Sequence, residues 1–289
     1  MKKISIWSSK IIEELAYNRV IIFFGSGVSA CAKKKDGSSP KTWREFITDI
    51  QTITRNATDD DKEYIKNCLD KEDYLSALQA IKNTSDSGEY GKAVKDAFES
   101  DARNPYEKMP AHKLIRDLDC KVVITTNFDK IYESCCSTQG YTTLTYNKPT
   151  SIIDALKSPN SLIIKAHGTI EEVNDIIFTA EQYYTTQEKY PEFYDILFSL
   201  FLTNTVLFLG YSLNDPDINL VLQMLHKTAS ESSPHYIALP RGIPEQKKQL
   251  WKKTYNVEII EYGDSIEDFV PALESLYDDV QGYKDARCL

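Results

Sequence analysis

What the chain lacks narrows its class before any motif is read. No apolar run approaches the roughly 20 residues that span a bilayer; the longest are Val20 to Phe24 and Val206 to Leu209. Met1-Lys2-Lys3 is basic, but Ile4 to Lys10 is too short and too polar for the apolar centre of a secretory signal. Cysteine is sparse, with Cys 6 in total and no C-x-x-C pair. That pattern argues against a disulfide scaffold and a structural zinc, and for reduced thiols in a cytoplasmic protein. Adjacent Cys135 and Cys136, on a predicted helix, point to different faces and make poor joint ligands. Positive charge is short too: Lys+Arg 34 against Asp+Glu 43 leaves a net charge of −9. Direct binding of nucleic acid or anionic lipid would then need a local basic patch. Lys33-Lys34-Lys35 comes nearest, and it reads as a solvated turn.

What is present fits an ordinary soluble globular chain. There are 289 residues, 42% hydrophobic and 27% charged, enough to bury a sizeable core. Ser8 or Ser9 can cap a helix over Lys10 to Asn18, and Val20 to Phe24 is a continuous β-branched and aromatic run. Such a run suits a strand covered on both faces, as in a central parallel sheet. Residues 41 to about 118 carry apolar stripes at helical spacing almost throughout, too much helix for one crossover. We read an inserted helical subdomain at about 45–118 within a single domain, 1–289. Strands return at Lys121 to Thr125, Ser161 to Lys165, Thr205 to Leu209, His235 to Leu239 and Val257 to Ile260. Helices are predicted between them over Phe193 to Leu202, Ile218 to His226 and Pro244 to Lys253, and Gly282 to Leu289 reads as a loose tail. This alternation predicts an α/β fold with a doubly wound, mainly parallel, Rossmann-like sheet.

In such sheets ligands sit outside the carboxyl ends of the strands. The first strand breaks at Gly25-Ser26-Gly27-Val28-Ser29-Ala30, a G-x-G-x-x-A turn whose backbone amides suit a pyrophosphate. The motif alone is weak, and a plain structural turn fits it too. A dehydrogenase would follow with a second strand and an acidic residue about 20 positions on. Glu45 and Asp49 stand there, but on a predicted helix, so an ordinary nicotinamide dehydrogenase is disfavoured. The next strand end carries Thr126-Asn127-Phe128-Asp129, where helix capping and ligand binding fit equally. His167, before Gly168, is the one histidine at a strand end, where an imidazole can exchange protons near neutral pH. A further strand closes in Gly210-Tyr211-Ser212-Leu213-Asn214-Asp215-Pro216.

Taken in order, these residues resemble the sirtuin family. Gly25-Ser26-Gly27-Val28-Ser29 is similar to its G-A-G-x-S opening, Thr126-Asn127-Phe128-Asp129 to its N-x-D motif, His167-Gly168 to its H-G motif, and Gly210-Tyr211-Ser212 to its G-T-S turn. Together they span about residues 20 to 220. Trp43-Arg44-Glu45-Phe46, Thr179-Ala180-Glu181-Gln182-Tyr183 and the Gly210 to Pro216 segment resemble the sirtuin-like effectors of bacterial antiphage systems, whose members hydrolyse NAD. Deacylating sirtuins carry a four-cysteine zinc ribbon and a peptide-clamping strand; this sequence has neither phrase, and Thr169-Ile170-Glu171 follows His167-Gly168.

The resemblance implies NAD as substrate, with no metal, cleaved to ADP-ribose and nicotinamide in antiviral defence. It implies Asn127 orienting the attacking water and His167 as general base. Gly25, Ser26, Gly27 and Ser29 would lie along the pyrophosphate, Asp129 at the carboxamide, and Gly210, Ser212 and Asp215 toward the distal ribose. A protein deacylase and a non-catalytic NAD or ADP-ribose sensor are the alternatives. Because unchecked NAD loss harms the host, and a chain of this length leaves little room for a sensing module, control is expected in trans. A homo-oligomer or a separate ATPase or Argonaute-type partner would supply it, and any nucleic-acid contact would be the partner's.

Overall fold

The computed structural model describes residues 6–99, 103–213, 215–229 and 231–289. The basic opening Met1-Lys2-Lys3 and Asn214 lie outside the described residues. Ile11, Leu15 and Ala16 form the buried stripe of α1 (Ser9–Ala16), with the Ser8 hydroxyl accepting from Ile11 N at the cap. β1 (Val20–Phe24) is buried at every residue and turns directly into the short α2 (Ser26–Ala30). The two-residue β2 (Lys33–Lys34) precedes α3 (Trp43–Ile50), α4 (Asp59–Asp70), α5 (Tyr74–Thr84) and α6 (Ser87–Phe98). β3 (Tyr106–Lys108) and α7 (Pro110–Asp117) return the chain to β4 (Val122–Thr125). Then come α8 (Ile131–Cys136), β5 (Thr142–Thr145), α9 (Pro149–Lys157), β6 (Leu162–Lys165), α10 (Ala180–Lys189) and α11 (Pro191–Thr203). The remaining elements are β7 (Thr205–Leu209), α12 (Pro216–Thr228), β8 (His235–Leu239), α13 (Glu245–Tyr255), β9 (Val257–Glu261) and α14 (Phe269–Arg287).

Seven strands make one sheet in the order β5-β6-β4-β1-β7-β8-β9. Every pairing in it is parallel. The expected α/β, Rossmann-like, mainly parallel sheet is therefore the observed one. Alternate residues of each strand serve opposite cores, as the strand period of two requires. Val20, Ile22 and Phe24 face the core under α1, α7 and α14, while Ile21 and Phe23 face the core under α11 and α12. The register decides where chemistry can occur. Phe24 pairs with Thr125 and with Leu209, and Thr125 pairs with Lys165, so four strands end in one layer. Their following loops meet there.

Helices α3 to α6 enclose a third cluster, built on Phe46, Ile47, Ile65, Leu78 and Val94. It also takes in Phe128, Ile170, Ile176 and Phe178, which lie next to the strand-end loops. Phe128 meets Phe98 edge-on at 4.7 Å and Phe178 at 5.0 Å. An aromatic anchor of this kind fixes the backbone between Asn127 and Asp129.

Several expectations are corrected. The edge strand β5 and helices α9, α10 and α14 were not expected from the pattern. Lys33 and Lys34, expected in a solvated turn, pair antiparallel with Lys108 and Tyr106, so the long helical stretch contains a strand. The expected loose tail is the end of α14, which runs to Arg287 and is anchored through Leu273, Leu276 and Val280.

Candidate active site

Asn127 and His167 occupy equivalent places, each two residues beyond the paired ends Thr125 and Lys165 of neighbouring strands. Both are buried, at 9% and 6% exposure. The Asn127 amide is held tightly: its Nδ2 donates to Gly25 O at 3.1 Å and to Ser29 Oγ at 2.9 Å. Its backbone N–H donates to Thr125 Oγ1 at 3.0 Å. Ser29 passes the chain on by donating to Asp129 Oδ2 at 2.8 Å, and Asp129 Oδ1 accepts from Ile131 N at 3.0 Å. Asp129 therefore meets the first amide of α8 with one oxygen and anchors Ser29 with the other. The Asn127 side-chain oxygen accepts no hydrogen bond among the described residues, which leaves it to a water or a sugar hydroxyl.

Beneath this network Lys165 lies fully buried, its ammonium bonded to the Asp129 carbonyl and to Glu133 Oε1, the latter at 2.5 Å. Burial raises the Glu133 carboxyl above its usual range, and the Lys165 charge opposes that rise.

His167 sits between two groups. Its Nε2 is 3.1 Å from Asp215 Oδ2, within ion-pair reach though not along a well-aligned hydrogen bond. Its Nδ1 is 3.4 Å from the Tyr183 hydroxyl, which itself donates to Asp215 Oδ2 at 3.0 Å. Asp215 Oδ1 caps α12 by accepting from Asp217 N at 3.0 Å and Ile218 N at 3.2 Å. Burial works against ionising Asp215, but His167, the helix amides and Tyr183 together hold its carboxyl below the usual range. Two of the other histidines differ: burial pushes His112 and His235 down to about 4, so both are neutral at physiological pH.

Residues 121–260 match the SIR2-like domain family. Over those residues the chain resembles that family. It is 22% identical over 263 residues to Defense-associated sirtuin 2 of Bacillus subtilis, covering 89% of this chain and 24% of that protein. It is 25% identical over 216 residues to NAD(+) hydrolase ThsA of Acinetobacter baumannii (strain 532279), covering 75% of this chain and 41% of that one. A third relative, NAD(+) hydrolase ThsA of Enterococcus faecium, is 23% identical over 237 residues, covering 81% and 45%. The chain thus spans less than half the length of each.

The sirtuin-like glycine turn is built for contact between loops. Gly25 N donates to Leu209 O at 3.1 Å and Gly27 N to Gly210 O at 3.0 Å. A Cβ on Gly27 would stand 2.8 Å from Gly210 Cα, and one on Gly210, where φ is +54°, would stand 2.5 Å from Val28 N. These glycines let the turns after β1 and β7 interlock. Two of the three amides expected to face a pyrophosphate are consequently engaged within the protein, which leaves the exposed Ser26 at the start of α2. Ser212 is exposed at the same rim.

Sequence reasoning assigns no role to Tyr183, Lys165, Glu133 or Asp217, although Tyr183 closes the Thr179-Ala180-Glu181-Gln182-Tyr183 segment and Lys165 ends a strand. Asp217 is 2% exposed, accepts from Tyr194 at 2.6 Å and from Gln187, and its carboxyl is raised by burial. Ligand atoms of His167, Asp215 and Asp217 lie within 4.8 Å of one another. Each carboxylate oxygen in that group already accepts from a protein donor.

Proposed function

We propose that this chain hydrolyses NAD to ADP-ribose and nicotinamide, acting as a defence effector that depletes the nucleotide. The observation that carries the reading is the pairing of Asn127 and His167 on in-register strand ends, one offering a free acceptor and the other a titratable ring. NAD's leaving group is already a cationic pyridinium and departs as neutral nicotinamide with the bonding electron pair, so no acid is needed. The protein's work is to orient water at the ribosyl carbon, with Asn127, and to take its proton, with His167. Ser26 and Ser212 line the rim toward the phosphates and distal ribose. Asp129 would bind the carboxamide through a second lone pair of an oxygen that already accepts from Ser29 or Ile131.

The relatives' names, one a defence-associated sirtuin and the others NAD(+) hydrolases, support the same reading. No helix among the described residues is long and apolar enough to cross a membrane, in keeping with a cytoplasmic site of action. Burial of both central side chains supports control by assembly: a second copy, or a separate ATPase or Argonaute-type partner, would open the crevice.

Purified protein incubated with NAD, with and without a candidate partner and an acetyl-lysine peptide, tests the reading by product mass. ADP-ribose and nicotinamide without need of peptide are expected. Nicotinamide released only in step with deacetylation would replace hydrolysis by deacylation.

A further inference from the structure

Asp215 stands where the resemblance places a residue that holds the distal ribose, yet its surroundings give it other work. Both its oxygens are occupied by protein groups. Oδ1 receives two amides at the start of α12, and Oδ2 faces His167 Nε2 at 3.1 Å and Tyr183 OH at 3.0 Å. Its side chain, like that of His167, is 7% exposed. A carboxylate so committed offers a ribose no free acceptor.

We propose that Asp215 is the positioning residue for His167: its Oδ2, 3.1 Å from Nε2, holds the ring at that nitrogen by charge and favours the proton there, which leaves the Nδ1 lone pair to act as base. The inference rests on the hydrolase reading of the same site. Water adds to the ribosyl carbon as the carbon–nitrogen bond breaks, nicotinamide leaves with that bond's electrons, and the water proton passes to Nδ1. The imidazolium formed then has a hydrogen-bond acceptor on each side. Asp215 serves Nε2–H, and the Tyr183 oxygen lies 3.4 Å from Nδ1, its own proton being turned toward Asp215. Because Asp215 is also the N-cap of α12, the imidazole is referenced to the start of a helix rather than to a loose loop.

Asp215→Asn separates the possibilities, since Asn caps a helix as well as Asp does but can donate to Nε2 and favour the wrong tautomer. In the full chain we expect kcat to fall about 100-fold, with KM for NAD within about threefold of the unmutated value. A raised KM with kcat unchanged is the signature of ribose binding and would overturn the proposal. A second readout needs no turnover. Nitrogen-15 histidine spectra, with the His167 signals assigned by their loss in His167→Ala, should show the Nε2–H tautomer in the unmutated protein and Nδ1–H in Asp215→Asn. An unmutated His167 carrying its proton on Nδ1 contradicts the pairing. Absence of NAD turnover both with and without a candidate partner, alongside the expected tautomer, would sink the hydrolase reading and leave the Asp215–His167 pairing standing.

Discussion

His167→Ala should lower NAD turnover by about 10²–10⁴-fold, the usual worth of a positioned general base, while the protein stays folded. The expectation of folding follows from what remains. Asp215 keeps the Tyr183 hydroxyl and the two α12 amides, so the carboxylate exposed to the new space is not orphaned. Loss of the ring also leaves Ile177 N bonded to the backbone carbonyl of residue 167, which holds the loop's path. Circular dichroism and thermal denaturation would check the fold, and nicotinamide release the activity. Turnover at the unmutated rate would remove His167 from the reaction. Neither His112 nor His235 is placed like it: His112, buried on α7, packs against Phe24 and Tyr132, and His235, also buried, begins β8.

Lys165→Met is the second large effect, this time on stability. It deletes the partner of Glu133 while leaving that carboxylate with a 13% exposed side chain. Breaking one side of a buried ion pair costs about 3–5 kcal/mol, whereas replacing both partners by apolar groups is often near neutral. Denaturant titration should therefore show a large loss in Lys165→Met and substantial recovery in Lys165→Met/Glu133→Leu. The pH dependence has a definite sign. Glu133 has a folded-state pKa above its unfolded one, since burial raises it. The folded state then holds the proton over the window just above the ordinary carboxyl value of 4.5, and stability falls as pH rises through that window. Without Lys165 the window widens upward, so the deficit of the variant should shrink on acidification. A deficit independent of pH would mean that Lys165 acts through packing or its bond to the Asp129 carbonyl instead.

The strands that carry the site were legible because they are buried on both faces. Val20 to Phe24, Val122 to Thr125, Leu162 to Ile164 and Thr205 to Leu209 are unbroken apolar or β-branched runs, and each stops at a glycine or polar residue. Asn127 and His167 stood out for the same reason: polar groups just past such a run have no reason to be there but a cap or a ligand. β5 was hidden because an edge strand is half-exposed and its Thr-Thr-Leu-Thr pattern is weak. The end of α14 read as a tail because nothing past Val280 is buried, so its last turns carry no apolar stripe. Pairings across the chain were invisible in principle. Tyr183 reaches Asp215 over 32 residues and Lys165 reaches Glu133 over 32, and no local pattern encodes either. The glycines were read for their small size, correctly, but the partner that demands it is another loop as much as any phosphate.

The most direct measurement of the central claim is hydrolysis in oxygen-18 water, with the ADP-ribose product analysed by mass. If Asn127 and His167 direct water to the ribosyl carbon, each ADP-ribose carries one heavy oxygen, and the signal disappears in Asn127→Ala and His167→Ala. ADP-ribose formed without the heavy oxygen, or formed equally in both variants, would contradict the account.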